Sequence, residues 1–596
     1  MLMNCSNKKS MKRYIMFICM VAALVGCNHA NDEIDVRISL DKNTHQIMTE
    51  APVEGHDFVE NSLYYPRVKR LSDGALLLCF MNHHFGWDIY TRRSEDNGKT
   101  WSDACLILQQ YPAESTVGDD MMVFVNPDFI ELADGRIMLA YQWRYKKGYN
   151  DLPNTNINCG VGVVFSSDKG RTWTGHRSVY RGRCWEPAML QLPSGEIQMY
   201  ITSSQNVVDG MSCPRTVVIR SFDNGQTWQG KEECDINDNE IISYTIDERF
   251  GYDGMPTAVL LDDGSIAMTI EVWSGKYVVD QTPVVVKTSA KDNWRFDQEK
   301  LLAEGGPEYP MKKQVNKDLT AYGPYIGKLP SGEVLVIADG LYKGVKQNWL
   351  VVGDRNADNF SYATAGFDGY WGSVAYVGDD KVIITGAEQY KVNKENRGKL
   401  HIMTGRVNRA KTLSRGETAL TPIAEFNRES NSSWFLGRVH PSAAFFDFGY
   451  DKDSFVLNTH LFTNKITAHT VENSDSPIAM LARGEDVYKI GVCASGKYEI
   501  SKLENNAWRV ICKGNDAMID LAGTINDDTD TDLGYAAQVN VPWEVIGGKP
   551  SKGETIRCHI AKWYKGGSKE KHPRQWEDLQ GEDIDNPATW LRIFLK

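Results

Sequence analysis

Two glutamates carry the chemistry most worth testing in this sequence. Glu186 lies in RCWEPAMLQLPSGEIQMY (183–200), between Trp185 and Pro187, and Glu271 lies in the apolar run SIAMTIEVW (265–273). Two carboxyl groups that face each other can divide the work of glycoside hydrolysis. One, kept neutral, protonates the leaving oxygen, while the other attacks the anomeric carbon or activates water. Apolar neighbours favour the neutral form of both, so burial alone does not assign the roles. The chain has no HExxH, no CxxC and no paired cysteine spacing, and this chemistry calls for no metal and no cofactor.

For the two glutamates to meet, the chain must bring residues 85 positions apart to one place, and repeats show how. Six segments share an apolar run, a turn and a second apolar run, with turn glycines Gly74, Gly135, Gly195, Gly264 and Gly332, and Asp380 in the sixth place. They recur at about the length of a four-stranded propeller blade, which predicts an all-β chain with a six-bladed β-propeller over 49–415. Eight residues before each glycine stand Pro66, Pro127, Pro187, Pro256 and Pro324, with Gly372 in blade 6. A proline in a fixed register marks the start of one inner strand, where its missing N–H costs no ladder bond. The preceding residues, Tyr65, Asn126, Glu186, Met255, Gly323 and Trp371, should therefore ring the central mouth. The second strand returns to the same face and brings a second ring, Met81, Gln142, Thr202, Glu271, Asp339 and Ala387 beside Glu388. Glu186 and Glu271 then share a face on adjacent blades. Asn126, Asp128, Asp253 and Asp339 are candidates for sugar hydroxyls, and Tyr65, Trp185 and Trp371 for stacking on a sugar face.

SEDNGKTW (94–101), SSDKGRTW (166–173) and SFDNGQTW (221–228) form another repeat, a tight turn built on Asp and Gly and closed by Trp. These resemble the Asp boxes of sialidase-like propellers, and their reading is structural. WEP (185–187), DGMP (253–256) and the later Glu271 resemble glycoside hydrolase family 93, exo-acting, retaining α-1,5-L-arabinanases on a six-bladed propeller. That resemblance implies Glu186 as acid/base, Glu271 as nucleophile, and a tyrosine of the next blade, Tyr322 or Tyr325 in AYGPY, supporting the nucleophile. YYPRVKRLSDG (64–74) resembles the opening of a sialidase, with Arg67 as a carboxylate-binding arginine. The corresponding starts of blades 2 to 6 hold no arginine, so Arg144, Arg183 or Arg355 would have to be recruited. A sialidase is thus the second expectation, and a non-catalytic glycan-binding protein the third. Arg67 is kept as a substrate-binding candidate.

The ends of the chain add context. A net charge of −12 gives nothing to neutralise a phosphate track, which argues against nucleic acid and for an oligo- or polysaccharide partner. Residues 1–27 read as a signal peptide whose Leu24-Val25-Gly26-Cys27 resembles a lipobox, so Cys27 is expected to carry lipid at the bacterial outer membrane, with 28–48 as a tether. From about 426 to 596 alternating strands suggest a β-sandwich. The VPWEVIG segment and the closing TWLRIFL resemble family 9-like carbohydrate-binding modules, with Trp563 and Trp576 as accessory sugar-binding residues and the whole chain a monomer.

Overall fold

The computed structural model describes residues 34–595 apart from short internal stretches, the longer of which are 54–61, 230–239, 413–419, 424–433, 437–443, 565–574 and 579–585. Cys27 and the signal segment lie outside the described residues.

Six antiparallel sheets form the propeller. Their inner strands, Leu63–Arg70, Gly118–Glu131, Cys184–Gln191, Gly251–Leu260, Leu319–Lys328 and Tyr370–Gly378, pack in chain order, and the last returns to the first. Each continues through a tight turn into a second strand. The turn glycines lie in the left-handed region, φ from 83° at Gly264 to 104° at Gly332, and in blade 6 Asp379 and Asp380 take the same hand at 51°. Aspartate tolerates that conformation better than most side chains, so the turn survives loss of its glycine. Apolar side chains of neighbouring blades fill the space between sheets, as Met138, Val161, Val163, Met199 and Ile201 do for blades 2 and 3.

Blade 6 takes only three strands from the C-terminal side of the propeller, which would leave Glu395–Thr412 as an open edge. Ile34–Leu40 fills that edge, pairing antiparallel from Ile34 with Lys411 to Leu40 with Gly405. The expected tether at 28–48 is therefore partly structural: Val36, Ile38 and Leu40 enter the core beside Met403 and Val407. An unpaired edge with an apolar face needs a partner, and the N-terminal strand supplies one. Ile38→Asp should bury an unpaired charge there, cost about 3–5 kcal/mol and expose the N-terminal strand to limited proteolysis.

The Asp boxes repeat one hydrogen-bond pattern. Asp96, Asp168 and Asp223 each accept from the backbone N–H and the hydroxyl of Thr100, Thr172 and Thr227, and serine hydroxyls cap Gly98, Gly170 and Gly225. They follow third strands that run away from the mouth, so they brace the opposite end of the blades.

The C-terminal unit packs two sheets around Phe446, Phe448, Phe455, Leu457, Ile490, Ile560 and Trp543. It begins before residue 426, because Leu420–Ile423 pairs with Leu591–Leu595 in one of those sheets. Trp563 pairs across strands with Trp576 and lies partly buried against an apolar cluster.

Candidate functional site

The inner strands share one irregularity. Each carries a bulge at the residue expected to face the mouth, and those six residues all have left-handed backbone: Tyr65 57°, Asn126 53°, Glu186 42°, Met255 54°, Gly323 51° and Trp371 50°. Outside glycine this conformation is costly, and a ring of such residues marks a place the fold holds under constraint. The bulge also breaks the ladder, so the N–H of the mouth residue needs another partner.

The second ring supplies that partner from the preceding blade. Met255 N–H donates to the Thr202 hydroxyl at 3.0 Å, Gly323 N–H to the Glu271 carboxylate at 2.6 Å, and Trp371 N–H to Asp339 at 3.3 Å. In blade 1 the equivalent acceptor is the Met81 sulfur, 3.4 Å from Asn126 N. Glu271 and Asp339 thus have an architectural duty, latching one blade to the next, besides any chemical one.

A cavity of about 290 Å³ opens at the mouth, lined in part by Tyr65, Asn126, Arg144, Trp185, Glu186 and Trp371. Glu186 Oε2 has no hydrogen-bond partner. Burial, reinforced by the charge of Glu271, lifts the Glu186 carboxyl to about 8, although the Thr202 hydroxyl, Arg67 and the Met255 N–H pull the other way. Glu271 is itself raised to about 7 by burial, against hydrogen bonds from Gly323 N–H and Tyr252. Glu271 is not among the residues lining that cavity. Its tyrosine partner is neither Tyr322 nor Tyr325 but Tyr252 of the same blade, which feels the charges of both glutamates. The ring fits because its neighbour is Gly254, where a Cβ would come within 2.7 Å of the phenol. No pattern in the sequence marks Tyr252, since the glycine matters only once the strand is bulged. Tyr322, 38% exposed, sits at the rim, whereas Tyr325 is buried with its hydroxyl 3.4 Å from Asp128 across the axis.

Several other expected binding residues point away from the cavity. Arg67 is 1% exposed, its Nη1 donates to the carbonyls of Pro66, Trp371 and Gly372, and its guanidinium lies 3.8 Å from the centre of the Tyr65 ring, so it staples blade 1 to blade 6. Asp128 is paired with Lys69 at 2.8 Å beneath the mouth. Asp253 is wholly buried, held by Ser243 at 2.5 Å and Lys312 at 3.1 Å. Asp339 is buried on its latch, and burial raises its carboxyl well above the usual range. Arg355 lies beside the Gly332 turn at the opposite end of the blades. Among the described residues, no cluster of three His, Cys, Asp or Glu side chains is placed to hold a metal ion.

Residues 20–314 match the family model described as a BNR repeat-like domain, just under half of the chain. A sialidase of Paraclostridium sordellii is 27% identical over 149 residues, 24% of this chain and 32% of that protein, so the match spans about a third of that relative's length. Among solved structures, a protein of unknown function from Dyadobacter fermentans aligns over 62% of this chain and 99% of its own, at 13% identity and a TM-score of 0.43. The NanB sialidase of Streptococcus pneumoniae aligns over 60% of this chain and 70% of its own, at 14% identity and a TM-score of 0.42. The stretch that carries Glu186, Glu271 and all three Asp boxes is thus similar to a BNR repeat-like domain.

Proposed function

We propose that the protein is an exo-acting, retaining glycoside hydrolase of the exo-α-L-arabinanase type, with Glu186 as acid/base and Glu271 as nucleophile. The observation that carries this reading is a cavity-lining carboxyl whose proton is held up to about pH 8 by burial and by a second carboxylate on the next blade. In the first step Glu186 gives its proton to the glycosidic oxygen as that oxygen leaves, and Glu271 forms the bond to the anomeric carbon. Glu186, now a carboxylate, takes a proton from water, whose oxygen displaces Glu271, and both groups return to their starting states.

A second reading rests on the hydrogen bond between Tyr252 and Glu271. Tyr252, bonded to Glu271 and within reach of both charges, would then supply the attacking oxygen, with Glu271 accepting its proton. The arabinan preference comes from the WEP and DGMP resemblance, and a sialoside is the rival substrate. We further propose that the C-terminal sandwich binds glycan through Trp563 and Trp576. The chain would act as a monomer tethered at the outer membrane through lipid on Cys27.

Incubating the full chain with arabino-oligosaccharides and with a sialylglycoconjugate, and following the first-formed anomer by NMR, tests this. The expected result is release of arabinose or short arabino-oligosaccharides from one chain end with the anomeric configuration retained. Inverted product, or release of sialic acid alone, would overturn the corresponding part.

A further inference from the structure

Two cysteines that the sequence holds 25 positions apart meet at the seam between blades 2 and 3. Cys159 opens Cys159–Ser166, the third strand of blade 2, and Cys184 opens Cys184–Gln191, the inner strand of blade 3. Both are 0% exposed and belong to one apolar cluster. The amide of Gln142, on the second strand of blade 2, donates to the Cys159 sulfur at 3.4 Å and also to the Cys184 carbonyl. The Gly182 N–H donates to the Cys159 carbonyl at 2.9 Å, which draws the chain just before Cys184 against the start of the other strand. The thiol and the backbone N–H of Cys184 both reach the Cys159 sulfur. In the structure each cysteine carries a free thiol.

Two free thiols fill that seam poorly. Burial pushes the Cys184 thiol well up, and the Cys159 sulfur beside it adds to the push. Burial raises Cys159 too, but hydrogen bonds from Cys184, the charge of Arg144 and the Gln142 amide outweigh it and draw that thiol below its ordinary range. The reduced pair therefore favours thiolate character inside an apolar core, where charge is expensive. A sulfur–sulfur bond removes both protons and that charge with them.

We propose that Cys159 and Cys184 form a disulfide when the protein folds under oxidising conditions, joining blades 2 and 3 two residues before Glu186. The oxidant is the disulfide of a thiol–disulfide exchange partner, which acts before the two blades close over the sulfurs. One cysteine thiolate attacks it, forming a mixed disulfide and releasing one thiol. The second cysteine attacks the first cysteine's sulfur and releases the other thiol. The cysteine pair is thereby oxidised, the incoming disulfide is reduced, and both protons leave on the released thiols. The bond closes a loop of about 25 residues that contains the second Asp box, and it anchors the strand that enters the left-handed bulge at Glu186. None of this depends on which glycan the cavity takes.

Mass spectrometry of the full chain produced in an oxidising bacterial periplasm tests the bond. The protein is unfolded in guanidinium with iodoacetamide and no reductant, then digested with trypsin. The expected result is that the Cys159 and Cys184 peptides are joined, unlabelled and two hydrogens lighter than their sum, while Cys79, equally buried, is fully labelled. Reductant should separate the peptides and lower the melting temperature of the parent by about 3–6 °C, and leave that of Cys184→Ser unchanged. The mass measurement needs only the parent, so it decides the matter even if the variant does not fold. Full labelling of both cysteines, or a bond from either one to a different cysteine, would overturn the proposal. A parent melting temperature that stays the same after the bond is cleaved would overturn its part in holding the blades.

Discussion

Glu186→Gln should lower kcat/KM by about 10²–10⁴-fold on a natural glycan, and by much less on an aryl glycoside whose leaving group needs no proton. The amide keeps the shape and the hydrogen bond from Thr202 but has no proton to give. In the parent enzyme the activity should fall as pH rises through about 8, where Glu186 loses its proton, and rise through about 7, where Glu271 ionises. The two groups interact, so the narrow bell belongs to the pair rather than to either residue. In Glu186→Gln the alkaline limb should disappear. Stability should move the opposite way. Because burial raises the folded pKa of Glu186 from the ordinary glutamate value of 4.5 to about 8, its contribution is fully present below about pH 4.5 and is lost as pH rises through about 8. The amide escapes that loss, so its melting temperature should exceed the parent's by a few degrees at about pH 8.5 and by little at about pH 5. A variant that kept the parent's rate on a natural glycan would remove Glu186 from the mechanism.

Glu271 has two duties, and two substitutions separate them. Glu271→Gln retains an oxygen for the Gly323 N–H, 2.6 Å away, so the latch between blades 4 and 5 should hold while turnover falls by roughly 10³-fold or more. Glu271→Ala removes the acceptor as well and should cost a further 1–3 kcal/mol or so of stability, because a buried N–H is left unpaired. Both changes also remove a charge that raises the Glu186 carboxyl, so the alkaline limb of any residual activity should shift to lower pH. Comparing melting temperatures with pH profiles distinguishes a chemical role from a structural one. If both variants kept their rates and only Glu271→Ala lost stability, Glu271 would be a latch alone. Tyr252→Phe completes the set: an effect as large as that of Glu271→Gln would favour the tyrosine as the attacking group.

Much of this site is legible in the sequence alone. The repeated proline register picked out Tyr65, Asn126, Glu186, Met255, Gly323 and Trp371 as one ring, and these residues share a left-handed, bulged backbone. A sequence pattern can locate such a ring because the same local turn and strand recur six times and each copy reports on the others. It could not foresee which neighbours share the cavity. Asp128 and Tyr325 lie within one residue of mouth prolines, yet they face a buried layer under the mouth. In sequence the N-terminal strand is indistinguishable from a tether, because one short apolar alternation looks the same whether or not an open edge awaits it.

By itself, then, the sequence determined the propeller, its six-fold register and the placing of Glu186 and Glu271 on adjacent blades, all of which follow from local turn chemistry and strand length. Only the tertiary structure decided that Arg67 is a staple, that Tyr252 is the partner of Glu271, that Asp339 is a latch, and that Arg144 is ringed by Trp87, Tyr149 and Trp185. The physical reason is the bulge. It turns one residue of each inner strand into the mouth and the next polar side chains into the core. Which of them then meet a charge, a carbonyl or open space depends on the blade alongside, which strand periodicity does not encode.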